Sequence, residues 1–185
     1  MLAALTALTI ALAGGPTSQA VRTLDGSWHH PLAEAKGKAL ALVFIAHDCP
    51  ICNAYAPEIV RIAKTFGRLG AKVELVYAEP GLTLSAARAH AKAYSYNGMS
   101  IFLDPTGALA KACGAKITPE AAVYDSSGRL TYRGRIDDLY VSFGKQRVAA
   151  TSHDLRMALD ATLKSKPPLH ARTDAVGCYI ASQST

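Results

Sequence analysis

Apolar and polar positions along this chain follow two periods, and the switches between them divide it into elements. Ala39 to Ala46 is a continuous apolar run of strand length, as expected of a strand buried on both faces. From Asn53 to Leu69 the residues Tyr55, Ile59, Ile62, Ala63 and Phe66 recur at three- and four-residue steps, the stripe of an amphipathic helix. Pro57 falls inside that helix and predicts a kink, because it has no N–H and its ring crowds the preceding turn. Lys72–Ala78 alternates and reads as a strand. Leu84–Tyr96 is Ala-rich and reads as a helix, Met99–Leu103 as a short strand, and Gly107–Cys113 as a short helix. Glu120–Asp125 and Arg129–Gly134 are two strands joined by Ser126-Ser127-Gly128, a hairpin turn. Ser152 is the expected N-cap of a last helix to Lys164, with Leu155, Leu159 and Leu163 on its apolar face and Pro167-Pro168 beyond it. Before the first long strand, Val21–Pro31 reads as a short hairpin around Asp25-Gly26 or an irregular entry segment. Leu32–Lys38 reads as a turn or short helix.

Strand–helix alternation implies parallel pairing through crossover helices, and the hairpin adds antiparallel strands. The expected fold class is therefore α/β, an α/β/α sandwich around a mixed central sheet. The chain divides into residues 1–20, a domain over 21–166 and a C-terminal tail over 167–185. Residues 1–13 are apolar and rich in Ala, Leu and Thr, and Gly14-Gly15-Pro16 breaks the run. Ala11-Leu12-Ala13 or Ser18-Gln19-Ala20 suits a small-x-small cleavage rule, so 1–20 reads as a signal peptide, although it has no Lys or Arg near its start. The run is too short to span a bilayer. Export would place the protein in a periplasmic or extracellular space, with membrane association at most through the N-terminus.

With 185 residues, half of them apolar and 18% charged, the chain has the material for one domain with a real core. The net charge of +6 is scattered, with groups no denser than Lys164/Lys166 and Arg133/Arg135. No aromatic residues interleave with a basic stripe, which argues against nucleic acid as a partner.

Chemistry concentrates at Cys49-Pro50-Ile51-Cys52. The pair lies where the apolar strand gives way to the helical stripe, so Cys49 falls at a helix N-terminus. There the dipole and free N–H groups favour a thiolate, the attacking species in disulfide exchange. No second CxxC or C…H-x₃-H grouping accompanies it, which weakens a structural zinc site.

Residues 39–164 resemble a thioredoxin-fold protein of the redoxin group, related to peroxiredoxins (AhpC/TSA) and to secreted TlpA/ResA-like thiol–disulfide oxidoreductases. The matching pieces are Phe44–Cys52, Ile117–Asp125 with its Thr118-Pro119, and Gly128–Asp138. The resemblance implies a thioredoxin-like sandwich with Cys49 as the attacking and Cys52 as the resolving cysteine. It also implies a cis Pro119 facing them, which leaves the backbone of Thr118 free to pair with an extended substrate. The implied partners are protein thiols or disulfides and an electron-donor thiol protein, often membrane-bound; no cofactor is required.

Three positions depart from the relatives. The buried acid that thioredoxins place six residues before the first cysteine is Val43 here, leaving Glu58 and Glu120 as candidates for proton transfer to Cys52. The Trp before the cysteine is Asp48, an acid that should oppose the thiolate unless a protonated His47 offsets it. The Thr that peroxiredoxins carry three residues before their cysteine is Ala46. Two further cysteines remain. Cys113 reads as a small buried hydrophobe. Cys178 sits in a Gly-Cys-x-Ile ending seen in some exported redoxin-like proteins, and could pair with Cys113, resolve the Cys49 centre or help bind a metal.

The leading expectation is an exported thiol–disulfide oxidoreductase. One alternative is a thiol peroxidase in which Cys49 becomes a sulfenic acid and Cys52 resolves it; Ala46 counts against it. Another is copper delivery, with thiolates suited to Cu(I) and His153 as candidate third ligand. Copper proteins of this fold normally space their cysteines by three residues rather than two. A redox-inactive binding module would have been favoured by loss of either cysteine, and both are present.

Overall fold

The computed structural model describes residues 18–181. The expected leader therefore lies largely outside the described residues. In chain order the elements are β1 Val21–Thr23, β2 Trp28–His29, α1 Pro31–Glu34, β3 Leu40–Ile45, α2 Pro50–Arg68, β4 Lys72–Tyr77, α3 Leu84–Ala93 and β5 Ile101–Leu103. They continue with α4 Ala108–Cys113, β6 Ile117–Thr118, β7 Glu120–Tyr124, β8 Leu130–Gly134, β9 Tyr140–Ser142, β10 Lys145–Gln146, α5 Asp154–Leu163 and β11 Cys178–Tyr179.

Seven strands form the central sheet in the order β2-β1-β5-β4-β3-β7-β8. The strands β3, β4 and β5 run parallel, joined through α2 and α3, while β7 runs antiparallel to β3 and β8 antiparallel to β7. Every residue of β3 is buried, as its unbroken apolar run requires. Alternation along the strands splits the core in two. Ala41, Val43, Ile45, Leu75 and Tyr77 face α2, α3 and α5, whereas Leu40, Leu42, Phe44 and Val76 face α1 and α4.

Helix α2 begins at Pro50, whose fixed φ suits the first helical position, and stays one helix through Pro57 to Arg68. Its N-cap is Cys49, in extended conformation, and the Cys49 carbonyl accepts the first helical bond from the Asn53 N–H at 3.0 Å. The last helix starts later than expected. His153, not Ser152, is the N-cap, without a side-chain bond. The Leu155 N–H that a cap at Ser152 would have bound goes to the Ile136 carbonyl, and the Ser152 N–H goes to Asp138.

The C-terminal segment folds back on the domain. The Thr173 N–H donates to the Arg133 carbonyl of β8, the Arg133 N–H donates to the Ala171 carbonyl, and the Thr173 hydroxyl meets Tyr132 and the Arg135 N–H. Beyond it, β11 pairs antiparallel with β6, Cys178 opposite Thr118 and Tyr179 opposite Ile117.

Candidate active site

The strand-to-helix junction puts Cys49 at the mouth of α2 and Cys52 one turn in, both nearly withdrawn from solvent. From β6, which leads into β7, comes Thr118, whose carbonyl lies 3.4 Å from the Cys49 sulfur. The Thr118–Pro119 bond is cis, as the resemblance implied. The four residues singled out from the sequence, Cys49, Cys52, Thr118 and Pro119, thus come together. Cys178 joins them, its Sγ 2.7 Å from the Cys49 Sγ. All four cysteines are free thiols.

The two sulfurs of the motif are driven apart electrostatically. A hydrogen bond from the Cys52 thiol pulls the Cys49 pKa down to about 5, opposed by burial and reinforced by the Cys178 thiol and the N–H groups of Cys52 and Ile51. These donors outweigh the neighbouring Asp48. Cys52 moves the other way: burial, then donation to Cys49 and the charge there, raise it well above the ordinary thiol value. The result is a thiolate over a protonated thiol, the polarity that exchange needs.

A polar chain missed in the sequence flanks the first turn of α2. Glu79 accepts from the His47 backbone N–H and meets its ring Nδ1, both at 2.9 Å. The Asn53 amide donates to the His47 carbonyl at 3.1 Å, and its oxygen meets His90 Nε2 at 2.9 Å. The other ring nitrogen of His90 meets the Tyr77 hydroxyl at 2.7 Å. Burial, with His47 nearby, lowers the His90 pKa, so its neutral ring can link two partners. Burial raises the Tyr77 hydroxyl pKa.

The remaining sequence candidates sort out by position. Glu58 is held by Arg156 and Arg61 at 2.6 and 2.8 Å. Glu120 pairs in register with Phe44, whose side chain belongs to the opposite core, and its carboxylate binds the Lys116 and Ile117 N–H groups. Glu120 therefore shapes the turn into β6 and faces away from Cys52. Cys113 is buried on the α4 side and Cys178 packs on the α2 side, so the two do not meet. Among the described residues the metal-ligating side chains that gather within 4.8 Å of one another are His47, Asp48 and Glu79. Cys49, Cys52 and the copper candidate His153 make no such group, since His153 is the cap of α5.

Comparison with known proteins agrees with this architecture. No curated protein matches the chain. A hypothetical protein from Sinorhizobium meliloti 1021 superimposes with a TM-score of 0.79 at 28% identity, covering 96% of this chain and 98% of its own. The exposed lipoprotein thioredoxin of Streptococcus pneumoniae gives 0.57 at 25% identity, over 80% of this chain and 98% of its own. A secreted Mycobacterium tuberculosis disulfide oxidoreductase homologous to E. coli DsbE shares the fold, with a TM-score of 0.59 at 22% identity over 79% and 97% of the two chains. The Redoxin family model matches residues 16–141, from the entry segment through β9 and across both halves of the site. With that match over most of its length and a thioredoxin-like sandwich around the paired cysteines, the chain belongs to the Redoxin family.

Proposed function

We propose that this protein is an exported thiol–disulfide oxidoreductase working through Cys49 and Cys52. The observation that carries the reading is the geometry at the start of α2: Cys49 caps the helix beside Thr118 and the cis Pro119, and Cys52 lies buried one turn in, a placement that lowers the Cys49 pKa and raises that of Cys52. The Cys49 thiolate attacks one sulfur of a substrate disulfide, and the other sulfur leaves as a thiolate. Cys52 gives up its proton and attacks the Cys49 sulfur of the mixed disulfide. The substrate then departs as a dithiol, and the protein keeps a Cys49–Cys52 disulfide. A reduced thiol protein returns two electrons and completes the cycle. Run backwards, the same steps oxidise a substrate dithiol. Thr118 would hold an extended substrate segment by its backbone, and Pro119 would keep that edge open because it has no N–H of its own.

Export rests on the apolar leader and on fold relatives described as secreted or exposed. Among the described residues no helix is long and apolar enough to cross a membrane.

A thiolate held at about 5 stabilises the reduced form. The pair should therefore have a reduction potential above thioredoxin's value of about −270 mV, whose attacking thiol titrates near 7. Equilibration in a glutathione redox series, with thiol trapping and mass spectrometry, tests the reading. It expects a reversible Cys49–Cys52 disulfide; if none forms at any poise, the reading fails.

A further inference from the structure

The site as described is already occupied by its own chain. Strand β11 lies on β6 with Cys178 opposite Thr118, and the Thr118 hydroxyl donates to the Cys178 carbonyl at 3.3 Å. The Ile180 N–H reaches the Lys116 carbonyl at 2.9 Å. Gly177 passes so close to Thr118 that any Cβ there would overlap the Thr118 carbonyl. The one cysteine of this segment meets the sulfur of Cys49, which is left 1% exposed. An extended peptide paired beside a proline-bounded edge, carrying sulfur to the attacking cysteine, has the geometry of a bound substrate.

The contact is also built to open. The ladder is two residues long, and Tyr179 projects into solvent. A crevice of about 270 Å³ lies by the segment, walled by Ile117, Arg133, Thr173 and Tyr179. The firm anchor is Thr173, five residues before the cysteine.

We propose that Cys178 is a third redox cysteine of this site, carried on a displaceable C-terminal strand that acts as an internal substrate of Cys49. The proposal rests on the disulfide-exchange reading above. Two steps follow. With Cys49 and Cys52 joined, the Cys178 thiolate attacks the Cys49 sulfur, the Cys49–Cys52 bond breaks, and a Cys49–Cys178 bond forms. Cys52 takes up the proton that Cys178 lost, and no electrons are gained or lost overall. When Cys49 instead carries a mixed disulfide with an external thiol, Cys178 displaces that thiol; the external disulfide has then taken two electrons from Cys49 and Cys178. In either state the strand is locked over Thr118, and an external peptide cannot pair there until Cys178 is released.

The full-length protein tests this with Cys52→Ser, which leaves one cysteine in peptide 39–61. Treated with glutathione disulfide, this variant should link peptide 39–61 to peptide 173–185 and release two glutathiones per chain. The double variant Cys52→Ser/Cys178→Ser should instead retain one glutathione on Cys49. A glutathione retained in both, with Cys178 free, overturns the proposal, while a wild-type Cys49–Cys52 disulfide under the same conditions leaves the exchange reading standing. A second measurement keeps the buried Cys52. In reduced protein near neutral pH, Cys178→Ser and Gly177→Ala should each speed Cys49 alkylation by about tenfold, because reactivity scales with the open fraction. Equal rates in wild type and both variants would show that the strand does not guard Cys49, and would also overturn the proposal.

Discussion

Cys49 and Cys113 are equally hidden, 1% and 2% exposed, and each sits at the end of a helix. One titrates near 5 and the other near 12. Burial alone would push both up, so the difference lies in what else faces each sulfur. Cys49 caps the N-terminus of α2, where the Ile51 and Cys52 N–H groups and two thiols point at it. Cys113 closes the C-terminal end of α4 beside Leu109 and Ala110; burial dominates there, a single hydrogen bond from the Tyr124 hydroxyl opposes it, and Asp104 adds to it. A buried cysteine becomes a thiolate in this fold through the end of the helix it occupies and the donors gathered there.

The largest expected contrast is in turnover. Cys49→Ser should lower disulfide reduction by on the order of 10³-fold or more, since it removes the group that forms the covalent intermediate. Cys113→Ser should leave turnover unchanged and cost about 1 kcal/mol of stability, because it buries a hydroxyl in a largely apolar site where the Tyr124 hydroxyl offers one partner. Parallel turnover assays and urea titrations check both. Equal loss of turnover in the two variants would break the comparison.

Next comes the donor that sets the Cys49 charge. Cys52→Ala removes the largest stabilising contact, so the Cys49 titration midpoint should climb from about 5 toward the ordinary thiol range. An unmoved midpoint would shift the credit to the helix end and the Cys178 thiol.

A smaller effect lies on the far side of the sheet, where burial acts without donors. Glu74 on β4 is 6% exposed, its Oε2 has no hydrogen-bond partner among the described residues, and burial pushes its pKa up to about 7. Its folded value lies above the unfolded one. The stability it contributes is thus full below about 4.5 and lost as pH rises through about 7. Glu74→Gln should remove that slope and gain about 3 kcal/mol over wild type near pH 9, with little difference near pH 4. Urea midpoints at the two pH values read it out. The smallest effect is expected at Asn53→Ala, which cuts the link between His47 and His90 and should cost about 1 kcal/mol.

The sequence carried the parts of this molecule whose information is local. The β3 run, the α2 stripe, the CxxC between them and the Thr118-Pro119 pair all lie in short windows, and the structure joins them as expected. The polar chain beside them was not legible. Its members come from the loop after β3, from α2, β4 and α3, and from the segment after β4, brought together only by parallel crossovers. Its sequence signals are His47 beside the cysteine motif and His90 in an Ala-rich helix, and neither has a periodicity that points to the other. Cys178 was open to three readings because a two-residue strand leaves no pattern. Pairing with β6 decides its neighbour, and Gly177 is the residue whose spacing from Cys178 records that close approach. Ser152 has the residue type of a cap, but the Leu155 N–H it would bind is taken by the Ile136 carbonyl, far back in the chain.

The most direct test of the account is the pH dependence of iodoacetamide labelling of the reduced, folded protein, followed cysteine by cysteine in tryptic digests. Cys49 should label with a midpoint near 5, while Cys113 stays unlabelled throughout the range in which the protein is folded. A Cys49 midpoint near the free-cysteine value of about 8.5, or labelling of Cys113 at a comparable rate, would contradict the claim that helix end and thiol donors make one buried cysteine reactive and leave the other inert.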